Sequence, residues 1–460
     1  MLKHFLSFFK TSTPAEQLFQ GDAAAQKKYY NKLRWSSFLA GTIGYSLYYV
    51  ARTSLNVVKK PILESEVLDA HQLGMIGSAL LFTYAIGKFV NGFLADYSNI
   101  KRFMAAGLLV SAIANLAVGI LGFSFTGSTA LTTFSFFIFF AILWGINGWS
   151  QSMGAAPAII ALSRWFPLKE RGTFYGFFSA SHNIGEFLSF IFVGTVVGIA
   201  GWQWGFVGSS LAAVIGVVII LIFMHDTPQS KGLPPVEILS SESKTVEKKS
   251  VAETQKAVLK NPYVWIIALS SAFMYVSRFA VNGWGVLYLQ EVKGFSLASA
   301  TQVISINALL GIFGTVLSGW FSDKLFKGNR NALALIFGIL NTIGLCLFVF
   351  SGNSLWVNML SMVLFGIAIG VLICFIGGLM AVDLVPRNAS GAALGIVGIA
   401  SYIGAGLQDI ASGWLIDSNK VMVGADVQYN FMPAATFWIA ASVISFILAL
   451  FVWKPKRTTG

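Results

Sequence analysis

The chain has 460 residues, of which 56% are hydrophobic and only 11% are charged, with a mean hydropathy of +0.72. Soluble domains carry about 25% charged residues, so this composition excludes an ordinary soluble protein and indicates an integral membrane protein. The net charge of +12 collects in alternate short loops, as membrane orientation requires, which argues against nucleic-acid binding. Cys346 and Cys374 lie in apolar segments, so we expect neither a disulfide framework nor a metal site.

The N-terminal segment, residues 1–35, is basic and precedes the first apolar stretch. Its first ten residues have too short an apolar core for a cleaved signal, and we expect a cytoplasmic interfacial segment. Twelve apolar stretches follow, each with the roughly 20 residues that a helix needs to cross about 30 Å of hydrocarbon. They are predicted at 36–58, 72–95, 103–123, 132–157, 172–198, 203–224, 262–289, 297–321, 332–350, 355–380, 391–416 and 432–453.

A polar run at residues 225–261 divides these stretches into two groups of six, and its proline pair and charged residues are typical of a linker. The predicted organisation is a six-helix half at 36–224, the linker, a second half at 262–453 and a tail at 454–460. The basic loops all fall on one side of the predicted helices. Both termini and the linker are therefore predicted to be cytoplasmic.

The two halves contain the same short pattern. Residues 49–56 read YVARTSLN and residues 275–282 read YVSRFAVN, a shift of 226. Each copy places one arginine, Arg52 or Arg278, inside an apolar stretch, where a charge costs about 2.5–3.5 kcal/mol on insertion scales. Neither has an Asp or Glu within a helical turn. Two guanidiniums facing one cavity could each grip an oxyanion through two donors, and phosphate fits that geometry best. The alternatives are a helix-locking ion pair, or snorkelling of Arg52 to the interface.

A second repeat ends the second and eighth stretches. Residues 92–96 read GFLAD and residues 319–323 read GWFSD, a shift of 227, and basic residues follow both. An aspartate there can pair with cytoplasmic basic residues in one conformation and release them in another. Simple orienting charges are the alternative. We predict a gating role for Asp96, Arg102, Arg171, Asp323 and Arg330.

Other ionisable residues also lie in apolar stretches. His182 is either a satisfied core residue or a group that follows the charge of a bound phosphate, since imidazole titrates near neutral pH. Lys88 is a weaker candidate because it could snorkel. Glu186 and Asp409 are intramembrane acids, which often belong to proton relays, so both are candidates for proton coupling.

Taken together, the sequence resembles the organophosphate:phosphate antiporters of the major facilitator superfamily, which include the glycerol-3-phosphate and hexose-6-phosphate transporters. The resemblance spans about Lys32 to Phe451. It rests on Gly44-Tyr45, Tyr49 with Arg52, Tyr84 with Lys88-Phe89, Asn147-Gly148 with Gln151 and Gly154, Arg164-Trp165-Phe166, Glu170-Arg171-Gly172, His182-Asn183, the run from Asp226 to Pro235, Asn261-Pro262-Tyr263, Tyr275 with Arg278, the run from Ser322 to Arg330, and Val385-Pro386.

The resemblance implies an all-α membrane protein of twelve transmembrane helices, built as two pseudo-symmetric six-helix halves with the site between them at mid-membrane. It implies that Arg52 and Arg278 bind the phosphoryl group. Around them it places His182, Lys88, Tyr45, Tyr49, Tyr84, Gln151, Tyr275 and Tyr402.

The implied activity is uptake of a phosphate ester in exchange for inorganic phosphate, by a carrier in the bacterial inner membrane. We expect neither an enzyme nor a cofactor. The chain has no glycine-rich phosphate loop of the ATPase type, so we expect the phosphate gradient rather than a nucleotide to drive transport. The lipid bilayer is the expected environment, and we expect a monomer. Two alternatives stay open: a sugar-phosphate sensor that signals through a partner kinase, and a proton-coupled symporter that uses Glu186 or Asp409. The sequence does not name the ester.

The chain departs from the family pattern at several positions. Three charges usual in the family are replaced by Thr53, Gly283 and Ala308, which puts the ion pairs that close the helices in doubt. The aromatic-Gly-Pro run of the tenth stretch is missing around residues 371–373, which puts the pocket for the organic group in doubt. Glu186 stands where relatives usually have glycine.

Overall fold

The structure of the protein, a computed structural model, describes residues 8–16, 18, 22–124, 130–239, 258–320, 330–385, 390–423 and 426–452. Nearly all of these residues are helical. The twelve long helices within them are α1 Ala23–Glu64, α2 Ala70–Asp96, α3 Ile100–Ser124, α4 Ala130–Trp165, α5 Leu168–Ala200, α6 Trp202–Phe223, α7 Pro262–Glu291, α8 Leu297–Trp320, α9 Arg330–Phe350, α10 Leu355–Cys374, α11 Ser390–Ser418 and α12 Met432–Leu450.

Eleven of these twelve helices, all except α1, are long and apolar enough to cross a membrane. The exception has 42 residues and contains the first copy of the repeated arginine pattern. Several polar side chains in its second half, including Ser46, Arg52 and Ser54, are buried within the protein. A helix with this many polar groups is stable in a membrane when those groups face other helices. The predicted all-α membrane fold with twelve long helices is confirmed.

Short elements connect some of the long helices. A π-helical turn, Phe375–Leu379, and a short helix, Met380–Asp383, follow α10. A 3₁₀ turn, Gln229–Lys231, and a short helix, Val236–Leu239, follow α6. Strands β1 Lys420–Val423 and β2 Asp426–Tyr429 form an antiparallel hairpin between α11 and α12, with Lys420 opposite Tyr429. This hairpin was not predicted from the sequence.

The long helices pack mainly within the first six and within the last six. In the first group α2 packs on α4, α3 on α6, and α1 on α5 and α6. In the second group α8 packs on α10, and α7 on α11 and α12. Among the described residues, the most extensive contacts between the groups are those of α2 with α11, α5 with α8, and α1 with α7. Side chains from both groups therefore meet along α1, α2, α5, α7 and α11. The residue boundaries of the two halves stay a prediction.

Glycines allow the closest of these approaches. A Cβ atom at Gly185 of α5 would lie 2.2 Å from the carbonyl oxygen of Ser46 in α1. A Cβ atom at Gly74 of α2 would lie 2.4 Å from the carbonyl oxygen of Asp409 in α11. Backbone atoms cannot yield as a flexible side chain can, so glycine sets both helix spacings.

The N-terminal segment and the start of the linker lie together at one face, which we predicted to be cytoplasmic. The Ser12 amide donates to Asp226 Oδ2 at 2.7 Å, and the Ile100 amide donates to Asp226 Oδ1 at 3.1 Å. Arg164 pairs with the same carboxylate. Asp226 therefore joins the N-terminal segment, the start of α3 and the end of α4.

Candidate functional site

Arg52 is buried, with 5% of its surface exposed, among three tyrosine rings. Its guanidinium carbon lies 4.2 Å from the ring centre of Tyr84, 5.3 Å from that of Tyr49 and 5.4 Å from that of Tyr402. Its Nη2 is buried without a hydrogen-bond partner among the described residues. Buried polar groups are nearly always paired, so this donor indicates a place for an anionic ligand.

Arg278, at the matched position of α7, has a different environment. Its Nη2 lies 3.5 Å from Glu186 Oε2 of α5, and Asn282 Nδ2 donates to Glu186 Oε1 at 2.7 Å. The guanidinium also lies 5.7 Å from the ring centre of Tyr275 and 5.6 Å from that of Phe279. No acid lies within a helical turn of Arg278 in the sequence, but the fold supplies one from another helix.

Tyr402 of α11 connects the surroundings of the two arginines. Its ring centre lies 4.5 Å from that of Tyr84 and 5.5 Å from that of Tyr275. The ammonium of Lys88 lies 5.5 Å from the same ring. These contacts bring α2, α7 and α11 together beside Arg52, so one aromatic cluster spans both groups of helices.

His182 and Tyr45 complete this cluster through Tyr49. The ring centres of Tyr49 and His182 are 5.8 Å apart, and those of Tyr45 and Tyr49 are 5.5 Å apart. Nine of the ten predicted binding residues are thus linked by side-chain contacts: Arg52, Arg278, His182, Lys88, Tyr45, Tyr49, Tyr84, Tyr275 and Tyr402. Their role in binding stays a prediction.

Gln151, the tenth, lies in a polar layer behind α1. Its Nε2 donates to Ser111 Oγ at 3.1 Å and to Asn147 Oδ1 at 3.4 Å. Asn147 and Asn115 each donate to the carbonyl oxygen of Ala51, at 3.0 and 2.9 Å. This layer holds the backbone immediately before Arg52, so we assign Gln151 a positioning contact rather than a place in the aromatic cluster.

A second charged cluster lies two helical turns beyond Arg52. Asp409 was predicted as a candidate for proton coupling, but its pairing with Lys59 was not predicted. Lys59 Nζ is 3.5 Å from Asp409 Oδ1 and 3.4 Å from the ring centre of Trp284. The Trp284 indole donates to the same Asp409 oxygen at 2.6 Å. Residues 52 and 59 share a helix face because seven residues make about two turns. The spacing of Arg52 and Lys59 in the sequence therefore places both cations on one face of α1. The carboxylate that pairs with Lys59 comes from α11 and could not be read from that spacing.

This cluster lies beside Gly283, one of the three positions where the resemblance led us to expect a charge. A Cβ atom at Gly283 would lie 3.7 Å from Asp409 Oδ1 and 3.9 Å from Lys59 Nζ. Asp409 thus brings a negative charge from α11 close to the point where α7 lacks one. Thr53 makes only a local bond, to the carbonyl oxygen of Tyr49, and Ala308 is buried.

The described gating candidates contact only their own group of helices. Arg102 donates to the carbonyl oxygen of Phe8, and Arg171 donates to those of Phe166 and Ser163. Arg330 pairs with Asp383, and the side chain of Asp96 is exposed. Asp323 lies outside the described residues. The gating role of all five stays a prediction.

Comparison with known proteins places this architecture in a family. Residues 41–408 match the family model of the Major Facilitator Superfamily. The chain is 34% identical to a probable hexose phosphate transport protein of Chlamydia pneumoniae, over 84% of this chain and 85% of that protein. It is 30% identical to a glycerol-3-phosphate transporter of Bacillus subtilis, over 98% of this chain and 99% of that protein. The chain belongs to the major facilitator superfamily, within the family of these organophosphate transporters.

Two further comparisons, one with a sensor protein and one with a solved structure, add to this result. The chain is 33% identical to the membrane sensor protein UhpC of Salmonella typhimurium, over 81% of this chain and 82% of that protein. Its fold matches an inward-facing, unoccupied bacterial homologue of the lysosomal transporter Spinster, with a TM-score of 0.70 at 18% identity over 92% and 96% of the two chains. These relatives are named as transporters or as a sensor, which confirms the prediction that this major facilitator protein is not an enzyme.

Proposed function

We propose that this major facilitator protein takes up an organophosphate, glycerol-3-phosphate or hexose-6-phosphate, in exchange for inorganic phosphate. The observation that carries the proposal is the buried, unpartnered Nη2 of Arg52 inside a cluster of tyrosines. A guanidinium binds phosphoryl oxygens through two parallel donors, and tyrosine hydroxyls add further donors. The relatives named as hexose phosphate and glycerol-3-phosphate transporters support the same substrate class.

In this mechanism the phosphoryl group binds between Arg52 and Arg278, which lie on α1 and α7. A dianion between helices from the two groups lowers the electrostatic cost of bringing them together and stabilises the intermediate state of alternating access. Without a ligand, Arg52 stays an uncompensated charge and reorientation is slow. Slow return of the empty carrier is what makes transport an exchange.

The helix ends beyond the site also fit alternating access. Lys59 pairs with Asp409 of α11, and Lys60 Nζ lies 2.8 Å from Glu291 Oε1 of α7. Both pairs join α1 to helices of the second group at the face opposite the N-terminal segment. They must separate when that face opens. We place the protein in the bacterial inner membrane as a monomer, with that face towards the periplasm.

The decisive experiment is counterflow in proteoliposomes that contain the purified chain. Vesicles loaded with inorganic phosphate should take up external ester, and empty vesicles should take up very little. A panel of glycerol-3-phosphate, glucose-6-phosphate and phosphoglycerate identifies the ester. Uptake that is equal in empty and loaded vesicles would rule out exchange.

The second candidate function is that of a sensor, which the similarity to the membrane sensor protein UhpC favours. A sensor should bind the ester to the purified chain but show no counterflow in the same vesicles. Binding and flux measured on one preparation therefore separate the two functions.

A further inference from the structure

We propose that Glu186 is a proton-linked counter-anion of the binding site. It neutralises Arg278 while the site is empty, and it takes up one proton from solution when a phosphoryl dianion binds. The inference rests on the proposed function, since it concerns the same phosphoryl site.

In the empty site only one of the two arginines, Arg278, has a carboxylate partner. Glu186 is buried, with 4% of its surface exposed, and its two oxygens face Arg278 Nη2 at 3.5 Å and Asn282 Nδ2 at 2.7 Å. None of the described carboxylates forms an ion pair with Arg52. The carboxylate thus holds the place beside Arg278 that a phosphoryl oxygen would take.

Binding of a dianion changes the surroundings of this carboxylate. A phosphoryl group that reaches both guanidiniums adds two negative charges next to Glu186, in a region of low dielectric where like charges repel strongly. α5 already packs closely on α1 next to Glu186, since a Cβ atom on the preceding Gly185 would clash with the Ser46 carbonyl oxygen, so the backbone has little room to move towards α1. Protonation of the carboxylate to the neutral acid removes the repulsion. The step consumes one proton and changes no other bond.

Asn282 can serve both forms of Glu186. Its Nδ2 donates to the carboxylate in the empty site, while its Oδ1 is buried without a hydrogen-bond partner among the described residues. Rotation of the amide would present Oδ1 to the hydroxyl of the protonated acid. An amide offers one acceptor and two donors, so either protonation state keeps a partner.

The other charged or titratable groups that face this site come from five helices. α8, which also packs on α5, has no charged residue between positions 297 and 320. The groups are Arg52, Tyr45 and Tyr49 from α1, Tyr84 and Lys88 from α2, Arg278 and Tyr275 from α7, Tyr402 from α11, and His182 from α5 itself. Glu186 is the only acid among them, so it is the group that a bound dianion would repel.

The test counts protons during binding of inorganic phosphate, which every form of the proposed exchange requires. The purified full-length chain is mixed with phosphate in weak buffer near pH 8, and an indicator dye reports proton uptake while radiolabelled phosphate reports occupancy. The wild type should take up close to one proton more per bound phosphate than Glu186→Gln. As the pH rises, the phosphate affinity of the wild type should also fall by up to about tenfold more per pH unit than that of Glu186→Gln.

Two control variants assign the proton. The double variant Lys59→Met/Asp409→Leu removes the buried acid of the Lys59 cluster together with its cation, and it should keep the wild-type proton count. His182→Asn should also keep it, and loss of uptake in His182→Asn rather than in Glu186→Gln would overturn the proposal. If wild type and Glu186→Gln bind phosphate with equal proton counts, this inference fails and the proposed phosphoryl site stands. If the wild type binds no phosphate, both fail.

If Glu186→Gln does not fold, a measurement on the wild type alone still tests the proposal. Infrared difference spectra recorded on phosphate binding should show a carboxylic acid carbonyl band appearing as a carboxylate band disappears. Spectra without any change in carboxyl bands would overturn the proposal.

Discussion

The ammonium of Lys59 in α1 and the carboxylate of Asp409 in α11 lie 3.5 Å apart, although the two residues are 350 positions apart in the chain. The side chain of Lys59 is 1% exposed and that of Asp409 is 10% exposed. Trp284 of α7 covers the ammonium with its ring and binds the carboxylate with its indole nitrogen. One buried ion pair thus joins three helices from both groups.

Loss of one partner of this pair should strongly destabilise the protein. Lys59→Met leaves Asp409 as a buried charge without a cation, which costs about 3–5 kcal/mol. The double variant Lys59→Met/Asp409→Leu should recover most of this loss, because an apolar pair can replace a buried ion pair at little cost. Thermal unfolding of the wild type, Lys59→Met, Asp409→Leu and the double variant in detergent gives the coupling energy.

Lys60→Met is the matched control for that cycle. The neighbouring Lys60 pairs with Glu291, but its side chain is 26% exposed. Partly exposed pairs contribute about 0–1 kcal/mol, so this variant should unfold near the wild-type temperature. Equal losses in Lys59→Met and Lys60→Met would contradict a special role for the buried pair.

Both arginines should be required for exchange. Arg52→Lys and Arg278→Lys should each abolish exchange while the protein still inserts, because lysine keeps the charge but loses the planar pair of donors. One lost charged hydrogen bond is worth about 1.5–3 kcal/mol, or roughly 10- to 100-fold in phosphate affinity. Near-normal phosphate binding in either purified variant would exclude the two-arginine site.

Removal of the whole guanidinium separates their structural roles. Arg278→Ala leaves Glu186 buried without its cation and should lower the unfolding temperature, whereas Arg278→Ala/Glu186→Gln should restore it. Arg52→Ala leaves no described carboxylate unpaired, so its unfolding temperature should stay near that of the wild type. A stability loss in Arg52→Ala as large as in Arg278→Ala would contradict this difference.

The sequence indicated candidate site residues on several helices but did not predict the ion pairs that form between helices. Tyr49 and Arg52 are one helical turn apart, so their contact follows from the period of the helix. The pairing of Arg278 with Glu186 and of Lys59 with Asp409 depends on how α5 and α11 pack, and no local pattern encodes it. The twelve apolar stretches could be predicted because hydropathy, like the helical period, is a local property of the sequence.

Helix spacing at the site gives a further prediction. Gly185→Ala should destabilise the protein by about 1–3 kcal/mol and impair exchange, because the added methyl group forces α5 away from α1. That shift would move His182 and Glu186, which flank the substitution. Gly198→Ala, in the same helix, has nothing within 4 Å of the added atom and should be neutral or stabilising by up to about 1 kcal/mol. Counterflow and thermal unfolding of both variants check the prediction.

His225, directly after α6, should make the protein less stable in acid. Its amide donates to Ser37 Oγ at 3.0 Å, and its carbonyl oxygen accepts from the Trp165 indole at 2.9 Å. Burial lowers the pKa of His225 to about 4, and the charges of Lys231 and Lys101 add to that effect. The unfolded chain, with a histidine pKa of about 6.5, therefore binds more protons between these two values. Stability should be fully present above about pH 6.5 and fall as the pH drops towards 4.

The corresponding measurement is the thermal unfolding temperature between pH 7.5 and pH 4.5. His225→Gln keeps both backbone hydrogen bonds but cannot take up the proton, so its unfolding temperature should fall less with acid than that of the wild type. Lys231→Gln removes one of the repelling charges and should give an intermediate slope. Because other groups titrate equally in all three proteins, only the differences between the curves report on His225. Parallel curves for wild type and His225→Gln would show that this histidine is protonated in the folded protein without cost.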